Sequence, residues 1–241
     1  MNYLAHAVLA GPDPLLRLGG LMGDFVKGPL PTGTAAGAPG VSSVSGTTAL
    51  AGAAPLPERL VLGLRLHRAI DAYAETHPAF RASRARVSPE RRRVAGIMVD
   101  LFYDHFLARG WAAWPAAPGF ASFGHNIDVA PAGNDLAAYC AATYALFDAH
   151  AALLPPRLAE VAPLMAAHDW LGSYAETATI ALALDRMAAR RFSRPTPLTG
   201  GGAELLADYE GYAADFRTFF ADALDFARQW REREGLAEGQ E

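Results

Sequence analysis

Glu204-Leu-Leu-Ala-Asp-Tyr209-Glu-Gly-Tyr212-Ala-Ala-Asp-Phe216-Arg-Thr-Phe219-Phe220 opens a stretch that runs on to Arg233 without a proline. Leu205, Tyr209, Tyr212, Phe216, Phe219 and Phe220 fall at three- and four-residue steps, the spacing that lines one face of an α-helix. A strand would need alternation with period two, and no segment of the chain sustains it. The stretch predicts a helix from about residue 204 to 233, and with it an all-α fold.

The same signature recurs upstream. Asp13-Pro14 reads as a cap followed by proline in the first turn, and Leu15, Leu16 and Leu18 lead towards Leu21 and Phe25 before Gly28-Pro29 closes the helix. A second helix runs from Pro57 to about Thr76, before His77-Pro78. A third starts at Ser88-Pro89-Glu90 and ends near Gly110. Asn134-Asp135 opens a fourth, and residues 157–167 and 173–192 also read as helical. Gly200-Gly201-Gly202 reads as a loop, and with no Gly-Lys-Ser/Thr after it, it is no phosphate cradle. Residues 31–55 are mostly Gly, Ala, Ser, Thr and Pro, with no charge and little bulky apolar surface, so they read as a flexible surface insertion in one helical domain spanning residues 1–241.

Composition bounds the class. The chain has 241 residues, 51% hydrophobic and 19% charged, with a formal net charge of −4. That suits one domain with a sizeable core and excludes disorder of the whole. Alanine, at 51 residues, favours close helix packing, and Lys27 is the sole lysine. One cysteine, Cys140, excludes an internal disulfide and a thiolate zinc cluster. The first ten residues lack a basic leader, and no run of eighteen apolar residues exists, so a soluble cytoplasmic protein is expected. A mildly acidic total weighs against nucleic acid as partner.

Chemistry concentrates on two helices. Stepping about 100° per residue from Leu60 puts Leu64, His67 and Asp71 within one ~60° sector, with Arg65 and Arg68 to one side. On the third helix, Val94, Ile97, Met98, Leu101 and Phe102 define the apolar face. His105 falls in its middle, Asp104 at its edge and Asp100 further round. Burying carboxylates there is costly unless something pairs with them. Either these residues are separate buried ion pairs, or they face a shared cation. Asp24 and His6 would add an oxygen and a nitrogen, giving a mixed donor set suited to Mn²⁺, Fe²⁺, Mg²⁺ or Zn²⁺. His168-Asp169 reads as a capping pair, His125 and His150 have no clear partner, and Cys140 reads as a core residue. Gly19, Gly20 and Gly23 read as sites of close helix approach. Arg81, Arg84, Arg86, Arg91, Arg92 and Arg93, offset only by Glu90, form either a solvated face or a docking patch for an acidic partner or phosphate-bearing substrate.

Four motifs in this order resemble the acyl carrier protein phosphodiesterases: Met1-Asn-Tyr-Leu-Ala-His6, Leu21-Met-Gly-Asp24-Phe-Val-Lys-Gly28, His67-Arg-Ala-Ile-Asp71 and Asp100-Leu-Phe-Tyr-Asp104-His105-Phe-Leu. The likeness continues through Trp111, Trp170-Leu171 and the stretch from Arg186 to Arg191, with Gly20 standing where the family more often has asparagine. The family resemblance implies a divergent relative of the HD-type phosphohydrolases. Its expected activity is removal of 4′-phosphopantetheine from the serine of holo-acyl carrier protein with a divalent metal, Mn²⁺ foremost and Mg²⁺ or Fe²⁺ next. It implies His6, Asp24, His67 and Asp104 as ligands, with Asp71, Asp100 and His105 in or just behind that set. On this reading His105 or His67 protonates the leaving serine, Asp71 or Asp100 orients that histidine, and Lys27 or Arg68 holds the phosphate. The acidic carrier protein would dock on the arginine segment. A metal phosphohydrolase of a nucleotide or other small phosphoester is the alternative enzyme, and a helical binding protein without catalysis is the alternative outside enzymology.

Overall fold

The computed structural model of the chain describes residues 2–30, 56–116, 135–191 and 196–236. The stretch read as an insertion and the loop holding His125 lie outside the described residues. Among the described residues there are eleven α-helices and no strand: α1 (Tyr3–Leu9), α2 (Pro14–Met22), α3 (Glu58–Thr76), α4 (Pro78–Arg86), α5 (Ala95–Arg109), α6 (Leu136–Ala149), α7 (Pro156–Ala167), α8 (Trp170–Ser173), α9 (Thr177–Arg191), α10 (Gly202–Ala207) and α11 (Tyr209–Arg233). They form an all-α bundle. None of the described helices is long and apolar enough to cross a membrane.

Caps written in the sequence set several boundaries. Asp13 accepts from the backbone N–H of Leu15 and Leu16, both at 2.9 Å, with Pro14 in the first turn of α2. Asp135 caps α6 through Ala137 N–H at 2.9 Å. The helix expected over residues 204–233 is two helices. Asp208 leaves helical geometry (φ −143°, ψ 52°) and its carboxylate caps α11 through Gly211 N–H, a local competition with helix that aspartate wins readily. Residues Pro89–Val94 wind as a 3-10 turn, so the third predicted helix becomes regular only at Ala95.

Three helices lie outside those expected: α1, α4 and the single turn of α8. His77-Pro78, read as a stop, also starts α4, because the His77 ring accepts from Ala79 N–H at 3.2 Å. Helix α1 is only seven residues long, and its N-cap Asn2 makes no side-chain capping bond. So short a helix is not self-supporting and depends on tertiary partners.

Helix α5 runs through the centre and touches α1, α4, α8, α9 and α11. From Leu101 to Ala108 every one of its residues is buried, including Asp104 and His105, which marks a helix enclosed on all sides. Tyr103 packs edge-on against Phe80 of α4 and Phe216 of α11, with ring centroids 5.6 and 5.2 Å away; such pairs add about 1 kcal/mol each beyond area burial. Helices α2 and α3 lie backbone to backbone. A Cβ on Gly19 would stand 2.4 Å from the Leu60 carbonyl oxygen, and one on Gly63 2.3 Å from that of Leu16. The glycines therefore set the spacing that brings the end of α2 against the middle of α3.

Candidate metal centre

His6 from α1 and His67 from α3 meet in a buried stack, with ring centroids 3.7 Å apart and 19° between planes. Both aim Nε2 at one carboxylate. His6 Nε2 lies 3.2 Å from Asp71 Oδ1, and His67 Nε2 lies 3.2 Å from Asp71 Oδ2. The i, i+4 spacing of His67 and Asp71 on α3 places them on one face. Among the described residues, His6, His67 and Asp71 are the group whose potential ligand atoms all lie within 4.8 Å of one another.

Hydrogen bonding assigns the protons. His67 Nδ1 stands 2.7 Å from the Gly20 carbonyl oxygen. A carbonyl only accepts, so Nδ1 carries the proton. With that single proton the ring would turn a bare Nε2 lone pair towards Asp71 Oδ2, and towards Asp24 Oδ1 at 3.9 Å. Two lone pairs so placed repel unless a cation lies between them, either a second ring proton or a metal ion. A histidine whose remote N–H donates to a backbone carbonyl is the usual form of a metal-bound imidazole.

The neighbours agree with a cation site. Burial, and then the adjacent His67, pull the His6 pKa to about 3, so its ring is neutral. Its Nδ1 is buried without a hydrogen-bond partner among the described residues. Burial would raise Asp71, but hydrogen bonds from His6 and His67 outweigh it and hold the carboxyl well below the usual range. The donor set of two imidazoles and one to two carboxylates fits Mn²⁺, Fe²⁺ or Zn²⁺.

The cluster opens on one side into a pocket of about 320 Å³, whose walls include Asp24, Lys27, His67, Arg68 and Asp71. Arg68 is steadied by donating to the Val26 carbonyl at 3.1 Å. Gly23 sits against the His67 ring so closely that a Cβ there would lie 2.2 Å from the ring's Cγ. Gly20 and Gly23 are the site residues that the sequence showed only as small-residue spacing. Their roles, a carbonyl partner and a gap for a ring, leave no chemical signature in a sequence.

The third helix contributes less directly. Asp104 is fully buried, and its oxygens accept the backbone N–H groups of Leu4 and Ala5, each at 2.9 Å. The structure thus turns it towards the start of α1, outside the His6–His67–Asp71 group. Asp100 lies within electrostatic reach of that group: burial raises its carboxyl, and Asp71 and Asp24 add to the rise. His105 is not brought to the site. Its Nδ1 is 2.9 Å from the Tyr174 carbonyl oxygen and its Nε2 2.9 Å from Tyr209 Oη, so both nitrogens serve contacts within the fold.

The arginine segment is largely tied down. Arg81 donates to the Glu75 carbonyl at 3.0 Å, and Arg84 pairs with the Glu75 carboxylate. Arg86 joins Asp208 and Asp215, which raise its pKa further. Arg91 reaches Glu204 at 3.5 Å and the Thr199 carbonyl at 3.1 Å. Arg92 and Arg93 are exposed. The acids come from α10, α11 and the exposed end of α3, which the local run could not reveal.

Comparison with known proteins bears on what such a site does. Residues 1–42 and 42–223 match the family model described as acyl carrier protein phosphodiesterase. A curated relative from Serratia proteamaculans (strain 568), named acyl carrier protein phosphodiesterase, is 31% identical over 231 residues, covering 95% of this chain and 98% of its own. Relatives of the same name from Photorhabdus laumondii and Pectobacterium atrosepticum are 30% and 27% identical, over 94% and 95% of this chain and 95% and 98% of theirs. No solved structure matches the chain.

Proposed function

The chain belongs to the acyl carrier protein phosphodiesterase family, and from that premise we propose that it hydrolyses the phosphodiester joining 4′-phosphopantetheine to the serine of holo-acyl carrier protein, releasing the apo form. Family membership makes it a phosphodiester hydrolase. The metal dependence of the reaction rests on one observation above all: the Nε2 atoms of His6 and His67 converge on the Asp71 carboxylate, each at 3.2 Å, while His67 Nδ1 donates to Gly20.

His6, His67 and Asp71 would hold a divalent ion, Mn²⁺ foremost, with Asp24 completing the set from the pocket wall. Bound there, the ion supplies Lewis acidity at phosphorus and a water acidic enough to attack near neutral pH. Asp71 stays ionised through its two histidine contacts and so remains a charged anchor at every working pH. Arg68, fixed by the Val26 carbonyl, and Lys27, exposed on the pocket rim, face the non-bridging oxygens and screen the charge that develops on them. With His105 held by Tyr174 and Tyr209, Lys27 is the pocket's donor for the departing serine oxygen. The carrier protein is acidic, and exposed Arg92 and Arg93 give it more to dock against than Arg84, Arg86 and Arg91, which already serve carboxylates of the chain. We place this reaction in the cytoplasm.

Mass spectrometry of holo-acyl carrier protein incubated with this protein and Mn²⁺ tests the reading. Loss of the phosphopantetheine mass is expected, blocked by EDTA and by Asp71→Asn. A carrier left intact would overturn the substrate assignment, and turnover indifferent to EDTA would overturn the metal.

A further inference from the structure

The metal reading leaves Asp104 without a place in the cluster, although it is fully buried and bonds the two backbone amides that immediately precede His6. Its Oδ2 accepts Leu4 N–H and its Oδ1 accepts Ala5 N–H, both at 2.9 Å. These are second- and third-position amides of α1, the donors that an N-cap side chain ordinarily satisfies. Asn2 holds the N-cap position and makes no such bond. We propose that Asp104 is a positioning residue: it caps α1 from across the core, and by fixing that helix it sets where the His6 ring stands in the metal site.

Three features support the assignment, which rests on the metal reading above. Helix α1 has seven residues and little stability of its own. Its other end is held in the same manner, by Arg231 Nη1 on the Leu9 carbonyl at 2.6 Å and by Arg17 Nη2 on the Gly11 carbonyl at 3.2 Å. A carboxylate thus meets the positive end of the helix and guanidinium groups the negative end, the pairing that the helix dipole favours. His6 directly follows Ala5, and its own N–H makes a helical bond to Asn2 O at 3.2 Å. A shift of the first turn therefore moves the His6 ring. Loss of the carboxylate would also strand two buried N–H groups.

Hydrogen exchange at the Leu4 and Ala5 amides of the unmodified protein, metal-free and with saturating Zn²⁺, separates a cap from a ligand. Both amides are expected to stay protected in both states. Faster exchange on adding Zn²⁺ would mean that the carboxylate leaves the amides for the ion, and would overturn the proposal. In Asp104→Asn, metal-free exchange at the two amides should quicken, and Co²⁺ affinity should fall by about 10- to 100-fold with the Co²⁺ absorption spectrum at saturation unchanged. An altered spectrum, with the amides still protected, would make Asp104 a ligand. The two readings fail separately. Unmodified protein that takes up neither ion removes the metal site, whereas unchanged exchange in Asp104→Asn removes the cap.

Discussion

The rings of His6 and His67 lie face to face at 3.7 Å although they stand 61 positions apart in the chain, and one carboxylate, Asp71, serves both Nε2 atoms. Such a stack tolerates at most one positive ring when no metal is bound, because two imidazolium groups at that distance repel strongly. The structure resolves this in favour of a neutral His6.

Acid sensitivity of the metal-free protein follows from that choice. The His6 pKa is lowered from 6.5 to about 3 by burial and by His67. A depressed folded value means that its contribution is complete above pH 6.5 and is lost as pH falls towards 3. Asp104 acts in the opposite sense. Burial outweighs its two backbone hydrogen bonds and raises it from 3.8 to about 7, so its contribution is complete below pH 3.8 and is lost as pH rises through 7. Melting temperatures measured from pH 3 to 8 without metal should therefore fall on both sides of an acidic optimum. His6→Gln should flatten the acid limb, and an unaltered limb would place the titrating group elsewhere.

Gly23→Ala isolates the geometry of the site from its chemistry. Gly23 has ordinary helical angles (φ −52°, ψ −42°), so alanine suits the backbone. Its methyl would nonetheless stand 2.2 Å from His67 Cγ and must push the ring aside. We expect Mn²⁺ affinity, read by calorimetric titration, to fall at least tenfold. Gly96→Ala on α5 is the control, since nothing lies within 4 Å of its added Cβ; it should leave metal affinity alone and stabilise the fold by up to about 1 kcal/mol through helix propensity.

The arginine segment yields a contrast in which stability and docking separate. Arg86 holds Asp208 and Asp215, which belong to the entry and first turns of α11. Arg86→Gln should lower the melting temperature by a few degrees, in keeping with a partly exposed pair network contributing about 1 kcal/mol. Arg92→Gln with Arg93→Gln should leave melting unchanged and raise KM for the acidic carrier, most at low salt. An unchanged KM at low salt would take these two residues out of docking.

What the sequence disclosed and what it hid divide along a physical line. His67 and Asp71 were legible because four-residue spacing fixes their common face within one helix. Asp24, Lys27 and Arg68 were legible through the motifs, and they do line one pocket. The long apolar face of Tyr212, Phe216, Phe219 and Phe220 likewise announced α11. Helix α1 was illegible because its caps, Asp104 and Arg231, lie about a hundred and more than two hundred positions away. His105 looked like chemistry for the same reason in reverse, since its partners Tyr174 and Tyr209 are remote in sequence. A periodic pattern reports which face is buried. It cannot report what a buried polar atom finds there.

Gly63→Ala tests whether helix spacing and metal site are one construction. The added methyl would lie 2.3 Å from the Leu16 carbonyl oxygen, a backbone atom that no rotamer change can move, and 3.0 Å from Gly19 Cα. Helix α2 must therefore retreat from α3. Overpacking of this kind costs about 1–3 kcal/mol, against which alanine's better helix propensity returns about 1 kcal/mol; a net loss in urea unfolding is expected. The retreat also carries the Gly20 carbonyl and Gly23 away from His67, although residue 63 touches no ligand. Metal affinity should then drop together with stability, and the His67 Nδ1 proton should exchange faster as its 2.7 Å bond to Gly20 lengthens. A variant destabilised yet binding Mn²⁺ normally would show that the His67 ring takes its position from α3 alone, independent of how closely α2 packs.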